Sequence, residues 1–309
     1  MPHRQFFGEG LKATWIGHAS FMVETSKAEG RERGLRILFD PVFSERVGPY
    51  GLVGPKRFSP TPCRVEELPE VDIVAISHTH YDHLDIETIR HVWRANKGRV
   101  HFVCGLNVKS WFLGLGMEDH EVSELDWWDG VAIEAENVGS VRLTCAPSQH
   151  FSGRTLWDLG HGLWCSYVVE EQQVEKPKKL YFSGDTGYRT ITPDDDISNL
   201  DKLPHCPAFA EIGETYGPFD LALLPIGCYS PRTFMSNVHC APEDSIGIHK
   251  DIRSKKSIGM HYGTIRGGLS AYYEDVREPA QRWKEHAEKA GLRWGEEVGL
   301  CDLGETVVV

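Results

Sequence analysis

Four side chains of types that commonly bind metal ions fall within six residues of the sequence: His78, His80, Asp82 and His83. They follow an apolar run, Ile73 to Ile76, that has the length and composition of a buried strand. In an extended segment alternate side chains share a face, so His78, His80 and Asp82 can converge while His83 turns toward a neighbouring point. This arrangement suits two metal ions better than one.

Imidazole and carboxylate ligands together are typical of zinc, and a catalytic zinc site keeps one coordination position for water. Two carboxylates would also admit iron or manganese. A single loop histidine is more often solvated than ligating, but this density of histidine and aspartate favours a metal site. Because such a metal lowers the pKa of bound water toward about 7, the sequence predicts hydrolysis without a serine or cysteine nucleophile.

Three later residues, His150, Asp185 and His261, each follow shortly after an apolar run. The runs are Val141 to Ala146, Leu180 to Gly184 and Ser257 to Met260. Glycines near Asp185 and His261 permit tight turns beside an ion. Each residue alone is as consistent with a structural role as with a ligand. Their common position at strand ends favours ligands.

Two further histidines have less clear surroundings in the sequence. His18 lies between apolar strands, and we interpret it as a buried, hydrogen-bonded structural residue, with support of a metal ligand as the alternative. His239 precedes a helix predicted to begin near Pro242 and could reach a leaving group as a general acid. The alternative for His239 is a solvated loop residue.

The composition limits the partners of the protein. A net charge of −12 and a pI near 5.7 lack the basic footprint that nucleic-acid binding requires, so we expect no nucleic-acid partner. The same charge weakens attraction to anionic lipid. Residues 1–20 have no signal-peptide core, and no apolar run reaches the roughly 18 residues of a membrane span. We therefore expect an intracellular protein, either cytoplasmic or peripheral to a membrane.

The 309 residues are consistent with a single α/β domain over 1–309, with an unstructured lead-in over 1–10 and a surface insertion over 190–207. The eight cysteines form no C-x-x-C pair and are interpreted as reduced core residues. The segment Pro41 to Pro62, rich in proline and glycine, is predicted to form a wall of the active site because it precedes the metal strand.

The pattern predicts strands and helices in both halves of the chain. Strands are predicted over Leu11 to Val23, Leu35 to Phe39, Ile73 to Ile76, Arg99 to Cys104, Val141 to Ala146, Leu163 to Val169, Lys179 to Ser183, Leu221 to Ile226 and Ser257 to Met260. Helices are predicted over Ile86 to Asn96 with Asp85 as N-cap, Leu106 to Leu115, Pro207 to Tyr216, Pro242 to Arg253 and Glu278 to Ala290. This order fits two sheets packed face to face between helical layers.

The order His-x-His-x-Asp-His, after an apolar strand and before a helix, resembles the signature of the metallo-β-lactamase fold superfamily. Longer strings narrow the resemblance. They are Thr14-Trp-Ile-Gly-His-Ala19, Asp40-Pro-Val-Phe43, Gly54-Pro-Lys-Arg-Phe58, Glu124-Leu-Asp-Trp-Trp128, Pro147-Ser-Gln-His150, Gly184-Asp-Thr-Gly-Tyr188 and Pro225-Ile-Gly227. Together they resemble the N-acylphosphatidylethanolamine-hydrolysing phospholipase D family, from about Ala13 to near the C-terminus.

The resemblance implies a four-layered αββα sandwich and a ligand set for two Zn²⁺. The first zinc would be bound by His78, His80 and His150, the second by Asp82, His83 and His261, with Asp185 bridging both. The resemblance also implies catalytic roles for Asp82 and Asp185, besides the predicted acid His239. Trp111 would be a substrate-binding aromatic on a helix beside an apolar groove.

The activity implied is that of a zinc phosphodiesterase. It would hydrolyse N-acylphosphatidylethanolamine to N-acylethanolamine and phosphatidic acid by attack of metal-bound hydroxide on phosphorus. Because family members are membrane-associated and dimeric, the expected partners are a phospholipid substrate, a membrane surface and a second copy of the chain. One alternative is a dinuclear zinc hydrolase of a small soluble ester, lactone or cyclic phosphate. A metal-binding protein without turnover is a third hypothesis, against which the complete ligand set argues.

Overall fold

The computed structural model describes residues 9–267 and 270–309, which form fourteen strands and seven α-helices. The strands are β1 (Lys12–Gly17), β2 (Ser20–Glu24), β3 (Arg36–Phe39), β4 (Ile73–Ile76), β5 (His101–Gly105), β6 (Val122–Leu125), β7 (Gly130–Ala135), β8 (Gly139–Ala146), β9 (Ser166–Gln172), β10 (Lys179–Phe182), β11 (Leu221–Pro225), β12 (Ser257–Met260), β13 (Val298–Gly299) and β14 (Thr306–Val308). The helices are α1 (Ile86–Ala95), α2 (Lys109–Leu113), α3 (Ala208–Thr215), α4 (Arg232–Met235), α5 (Pro242–Asp251), α6 (Ser270–Tyr273) and α7 (Glu278–Lys289). Most of the predicted lead-in, residues 1–8, lies outside the described residues.

The strands form two seven-stranded sheets, ordered β14-β1-β2-β3-β4-β5-β6 and β13-β12-β11-β10-β9-β8-β7. In each sheet three neighbouring pairs are antiparallel and three are parallel. Parallel strands end at the same edge of a sheet, so residues that follow β3 and β4 lie together, as do those that follow β10, β11 and β12. Six of the seven candidate ligands lie after β4, β10 or β12, and His150 follows β8.

Three apolar layers hold the sheets and helices together. Between the sheets, the stacked rings of Phe39 and Phe182 have centroids 4.5 Å apart. The outer face of the first sheet packs on α1 and α2, where Phe102 contacts Phe112. The outer face of the second sheet packs on α3, α5 and α7, including the fully buried Trp283. The predicted αββα sandwich is therefore confirmed.

The element boundaries differ from the prediction where the backbone reverses. Leu11 to Val23 forms two strands, because Gly17 and His18 have positive φ values of 117° and 54° and turn the chain into a hairpin. The predicted helix over Leu106 to Leu115 is shorter, since Asn107 adopts a left-handed conformation that α-helix cannot include. Strands β6, β7, β13 and β14 were not predicted.

Other expectations agree with the structure. The carboxylate of Asp85 accepts a hydrogen bond from the backbone of Glu87 and so caps α1. All eight cysteines are free thiols, and six of them are buried. Among the residues of 190–207 whose burial is described, only Ile191 is buried, and a surface insertion over this range stays a prediction. Within residues 9–267 and 270–309, every helix is too short or too polar to cross a membrane.

Candidate metal centre

The loop between β4 and α1 carries the first four candidate ligands, and Asp85 fixes its far end. One oxygen of Asp85 accepts hydrogen bonds from the backbone N–H groups of Phe43 and Ser44 and from the Thr88 hydroxyl, at 2.5–3.3 Å. The residue therefore ties the loop to α1 and to the segment that follows β3. The hydrogen bonds of Asp85 thus fix the end of the ligand loop at the start of α1.

Three histidine rings form the first group of donor atoms. His78 Nε2 lies 2.8 Å from His80 Nδ1, and His150 Nε2 lies 3.3 Å from the same atom. One ring nitrogen from each residue lies within 4.8 Å of the other two. Nitrogen lone pairs that converge in this way can share a cation, which is the function of three-histidine metal sites.

The second group contains Asp82, His83 and His261. The Nε2 atoms of His83 and His261 each lie 4.0 Å from Asp82 Oδ2. The left-handed backbone of His261, with φ of 62°, directs this residue away from β12 as soon as the strand ends. The structure therefore brings residues 82, 83 and 261 together although almost 180 positions separate them in the sequence.

Asp185 lies between the two groups. Its Oδ2 is 3.2 Å from His83 Nε2 and 3.8 Å from His150 Nε2, and its Oδ1 is 3.1 Å from His261 Nε2. A fourth ring nitrogen, His239 Nδ1, is 3.9 Å from Oδ2. The carboxylate of Asp185 thus contacts members of both groups, as expected of a residue that would contact two ions.

The donor atoms fit metal ions. Among the described residues, His83 Nε2, His261 Nε2 and Asp185 Oδ1 are buried and have no hydrogen-bond partner, which is costly for polar atoms unless a further group binds them. Burial lowers the pKa of His78 and His150 well below the ordinary value, so their rings are neutral as ligation requires.

The rings of His78 and His150 are neutral, whereas Asp185 and His83 carry charge. Burial alone would raise the pKa of Asp185, but His261 and His83 hold that pKa well below its ordinary value, so the carboxylate is ionised. Burial lowers and Asp185 raises the pKa of His83, and the net shift is upward. A proton on His83 therefore balances Asp185 in the protein alone, and a bound cation would take the place of that proton.

Asp40 supports the ligands from behind and was not predicted as a site residue. Its carboxylate is fully buried and lies 2.7 Å from His83 Nδ1, which leaves Nε2 of that ring to face Asp185. It also accepts hydrogen bonds from the backbone N–H and hydroxyl of Ser77, whose Oγ lies 2.9 Å from His78 Nδ1. Its position at the end of β3, like that of the ligands after other strands, was a signal available in the sequence.

The structure also places His18 and His239, whose roles the sequence left open, and Trp111, the predicted substrate-binding aromatic. His18 Nε2 lies 3.0 Å from Asp82 Oδ2, which agrees with the alternative role of supporting a ligand. His239 is buried beside Asp185 rather than solvated. Trp111 is half-buried, with its ring centre 5.6 Å from the Arg154 guanidinium, and it is not among the described residues that line the cleft beside the metal ligands.

Arg154 fixes the shape of the ligand loop. Its Nη1 donates hydrogen bonds to the backbone carbonyls of Thr79 and Leu84 at 3.0 and 2.7 Å, one on each side of His80, Asp82 and His83. Its guanidinium stacks over the Tyr81 ring at 3.9 Å. The sequence gives no signal for this role, because the contacted atoms are backbone carbonyls about 70 residues earlier in the chain.

A cleft of about 520 Å³ opens beside the ligands. His80, Asp82 and His261 contribute to its lining. Its apolar walls come from the segment after β3 and from the segment between β12 and the first turn of α7, and they include Val47, Pro55, Tyr262, Ile265, Val276 and Pro279. The segment Pro41 to Pro62 therefore forms part of the wall, as predicted. A molecule with a polar head and an apolar remainder could bind with its head at the metal ligands.

Comparisons with known proteins agree with this fold. The family model described as a beta-lactamase superfamily domain matches residues 35–262. The structure of Igni18, a metallo hydrolase from Ignicoccus hospitalis, superposes with a TM-score of 0.60 at 21% sequence identity, covering 97% of this chain and 98% of that one.

Two curated relatives have the same named activity. An N-acyl-phosphatidylethanolamine-hydrolyzing phospholipase D 1 of Caenorhabditis elegans is 34% identical over 272 residues, which are 87% of this chain and 68% of the relative. The mitochondrial N-acyl-phosphatidylethanolamine-hydrolyzing phospholipase D of Saccharomyces cerevisiae is 32% identical over 261 residues, 84% of this chain and 50% of the relative. The chain thus spans between half and about two thirds of the length of these two relatives.

The fold and the ligand cluster, taken with these matches, define a metal-dependent hydrolase of the beta-lactamase superfamily. Within that superfamily, the chain belongs to the N-acylphosphatidylethanolamine-hydrolysing phospholipase D family.

The contacts of Arg154 generate a prediction about metal binding. Replacing Arg154 with Ala removes both carbonyl contacts, so the ligand loop loses its fixed spacing and metal affinity should fall roughly 10- to 100-fold. Arg154→Lys retains one donor group, so its metal affinity should lie between that of Arg154→Ala and that of the natural protein. Affinity is measured by competition with a chromophoric chelator, with the exposed Arg142→Ala as matched control. Unchanged affinity in the folded Arg154→Ala variant would contradict this role.

Proposed function

We propose that the protein is a phosphodiesterase of phospholipase D type with two zinc ions, and that it hydrolyses N-acylphosphatidylethanolamine to N-acylethanolamine and phosphatidic acid. The observation that carries the proposal is the position of Asp185, which lies within 4 Å of ring nitrogens from both ligand groups. One carboxylate between two donor sets suits a pair of ions. The named activity of the two curated relatives supports the choice of substrate.

Each ion would be held by a different set of residues. His78, His80 and His150 would bind one ion and Asp82, His83 and His261 the other, with Asp185 bridging them. When bound, two zinc ions supply Lewis-acid charge beside phosphorus and water that is acidic enough to react near neutral pH. Asp40 and His18 keep His83 and Asp82 in fixed orientations through hydrogen bonds of 2.7 and 3.0 Å. A ligand set made only of histidine nitrogens and carboxylate oxygens favours zinc.

The cleft determines how a phospholipid would be oriented. Its volume of about 520 Å³ is in the range of a drug-sized ligand, so the phosphodiester and its neighbouring atoms fit while long acyl chains extend outward. The apolar walls near Val47 and Ile265 would contact the first carbons of those chains. The polar atoms of the substrate would then lie beside the metal ligands. Water, the second reactant, would attack there.

His239 is placed to assist the leaving group. Burial lowers its pKa to about 4, so the ring is neutral at pH 7. Its Nδ1 lies 3.9 Å from Asp185 Oδ2, and the Arg232 guanidinium holds its backbone carbonyl at 3.3 Å. A neutral ring can donate a hydrogen bond to the ethanolamine oxygen as its bond to phosphorus breaks. That oxygen leaves as the hydroxyl of N-acylethanolamine with a proton that comes from the attacking water, and the oxygen of that water stays on phosphorus as phosphatidic acid.

A second candidate is hydrolysis of a small soluble ester, lactone or cyclic phosphate. The volume of the cleft favours it, because a molecule of that size would fit entirely inside. The same ligand set would polarise a carbonyl oxygen as well as a phosphoryl oxygen. The expected homodimer and the membrane contact belong to the first proposal, since a small soluble substrate requires neither.

The first prediction under this proposal concerns the substrate. Zinc-loaded protein should release N-acylethanolamine and phosphatidic acid in equal amounts from micellar N-acylphosphatidylethanolamine, as measured by mass spectrometry. In H₂¹⁸O the heavy oxygen should appear in phosphatidic acid alone, because water attacks phosphorus. A panel of soluble esters, lactones and cyclic phosphates serves as the comparison. Preference for that panel, with no lipid turnover at several acyl lengths, favours the second candidate.

Asp185→Asn tests the bridge between the two ions. The change retains the shape of the side chain but removes one negative charge, so metal content should fall at both positions together. His261→Ala should instead empty mainly the second position. Turnover should fall by at least about 10- to 100-fold in Asp185→Asn. Metal analysis and kinetics check both variants, and two zinc ions per chain with near-normal turnover in Asp185→Asn contradict the bridging role.

His239→Ala tests assistance to the leaving group. Turnover should fall roughly 10²- to 10⁴-fold while zinc content stays at two per chain, because the residue acts on substrate and not as a required ligand. His239→Gln should recover part of the rate, since an amide can donate the same hydrogen bond. The matched control is His120→Ala, a change at an exposed histidine. Loss of zinc in His239→Ala would assign the residue to the metal ligands instead.

A further inference from the structure

The imidazole ring of His239 is buried, yet no hydrogen bond fixes its orientation. Within residues 9–267 and 270–309, neither of its ring nitrogens has a hydrogen-bond partner. The rings of His150 and His261 are its neighbours, with centroids 5.1 and 5.5 Å away. A side chain held only by packing takes its position from its own backbone. The groups that bind the backbone of His239 therefore decide where its ring nitrogens lie.

Helix α4 binds both polar groups of the His239 backbone. The N–H of His239 donates a hydrogen bond to the Met235 carbonyl at 2.8 Å. Its carbonyl accepts one from Arg232 Nη1 at 3.3 Å. The first of these bonds continues the backbone geometry of the helix end and would form with any residue at position 239. The second is made by a side chain, so the choice of arginine at position 232 is specific to it.

The two carbonyls before His239 are bound from another part of the chain. Gln149 Nε2 donates a hydrogen bond to the Asn237 carbonyl at 2.9 Å, and His150 Nδ1 donates one to the Val238 carbonyl at 2.9 Å. The second bond leaves Nε2 of His150 to face the other candidate ligands. Because both bonds are independent of Arg232, loss of the Arg232 side chain should leave this metal ligand in place.

Asp244 holds the Arg232 guanidinium in turn. Its carboxylate is fully buried, and Oδ2 accepts hydrogen bonds from Arg232 Nη2 and, at 3.2 Å, from the backbone N–H of Ala241. Its Oδ1 forms an ion pair with Arg189 Nε at 2.8 Å. A buried carboxylate needs positive charge beside it, and the two guanidinium groups supply that charge. Asp244 thus connects α4, before His239 in the chain, to the start of α5, after it.

We propose that Arg232 and Asp244 are positioning residues for His239: the carboxylate orients the guanidinium, and the guanidinium fixes the His239 carbonyl so that the ring meets the leaving group. This inference rests on the role of His239 in the proposed function. Arginine suits the position because its planar group offers separate N–H donors to a carboxylate and a carbonyl at once. In the described chain neither residue hydrogen-bonds a candidate metal ligand, so their effect on turnover passes through His239.

The test replaces Arg232 rather than Asp244, because Asp244→Asn would leave two guanidinium groups without a counter-charge and destabilise the fold. The Arg232 side chain is 19% exposed, and its loss leaves the ion pair of Asp244 with Arg189 intact. Arg232→Gln should lower kcat about 10- to 100-fold, as a small displacement of a reacting group does, while KM and zinc content stay unchanged. Arg232→Lys should recover part of the rate, since an ammonium group can still bond one of the two acceptors.

A double-mutant cycle separates positioning from general support of the fold. In the His239→Ala background, Arg232→Gln should change kcat by less than about twofold, because no ring is left to misplace. The matched control is Arg282→Gln, which removes a 2.7 Å ion pair with Glu243 in the first turn of α5 but no contact with His239. Its kcat should stay near that of the natural protein. Thermal unfolding and metal analysis verify that each variant is folded and loaded.

The cycle is run on whichever substrate the natural protein cleaves, so its outcome is separate from that of the proposed function. If only soluble esters are cleaved, the lipid substrate is wrong, and coupling between positions 232 and 239 still supports the positioning role. If lipid is hydrolysed but the effects of Arg232→Gln and His239→Ala multiply, the function stands and the inference is overturned. A crystal structure of Arg232→Gln gives a readout without turnover: a His239 ring that keeps its 3.9 Å distance to Asp185 also overturns the inference.

Discussion

The burial of an ionised carboxylate among imidazole rings is the constraint on which the rest of the site depends. Asp185 is almost fully buried and contacts ring nitrogens of His83, His150 and His261 within 4 Å. A buried negative charge is costly unless positive charge lies beside it, and among these imidazole rings a proton or a metal ion can supply that charge. The cluster is therefore arranged for cations, and its neutral rings and unpartnered atoms follow from that arrangement.

Both sheets position these groups in the same way, at the ends of parallel strands. In one sheet Asp40 follows β3 and His78 follows the parallel strand β4. In the other sheet Asp185 follows β10 and His261 follows β12, which runs in the same direction. Each of these residues lies within three positions of the end of its strand. The core between the sheets keeps those ends at fixed separation. Precision then comes from fixed hydrogen bonds, chiefly those of Asp40 to His83 and of Arg154 to the carbonyls of the ligand loop.

Much of this could be predicted from the sequence, because alternate spacing in His78, His80 and Asp82 and the strand-end positions of the later ligands are local features. The proximity of His18 to Asp82 could not, since it depends on a hairpin at Gly17 that the apolar pattern does not reveal. Contacts made to backbone carbonyls, such as those of Arg154, carry no residue signature. Strand β7 was missed because none of its side chains is fully buried, which removes the apolar pattern of a core strand.

Anomalous X-ray diffraction at the zinc edge, on crystals of zinc-loaded protein, tests the proposed dinuclear centre most directly. Two peaks are expected about 3.5–4 Å apart, each within about 2.0–2.2 Å of its donor atoms. One should lie among His78, His80 and His150, the other among Asp82, His83 and His261, with one Asp185 oxygen or both between them. A single peak, or two peaks of which only one contacts Asp185, would contradict the central role of that carboxylate.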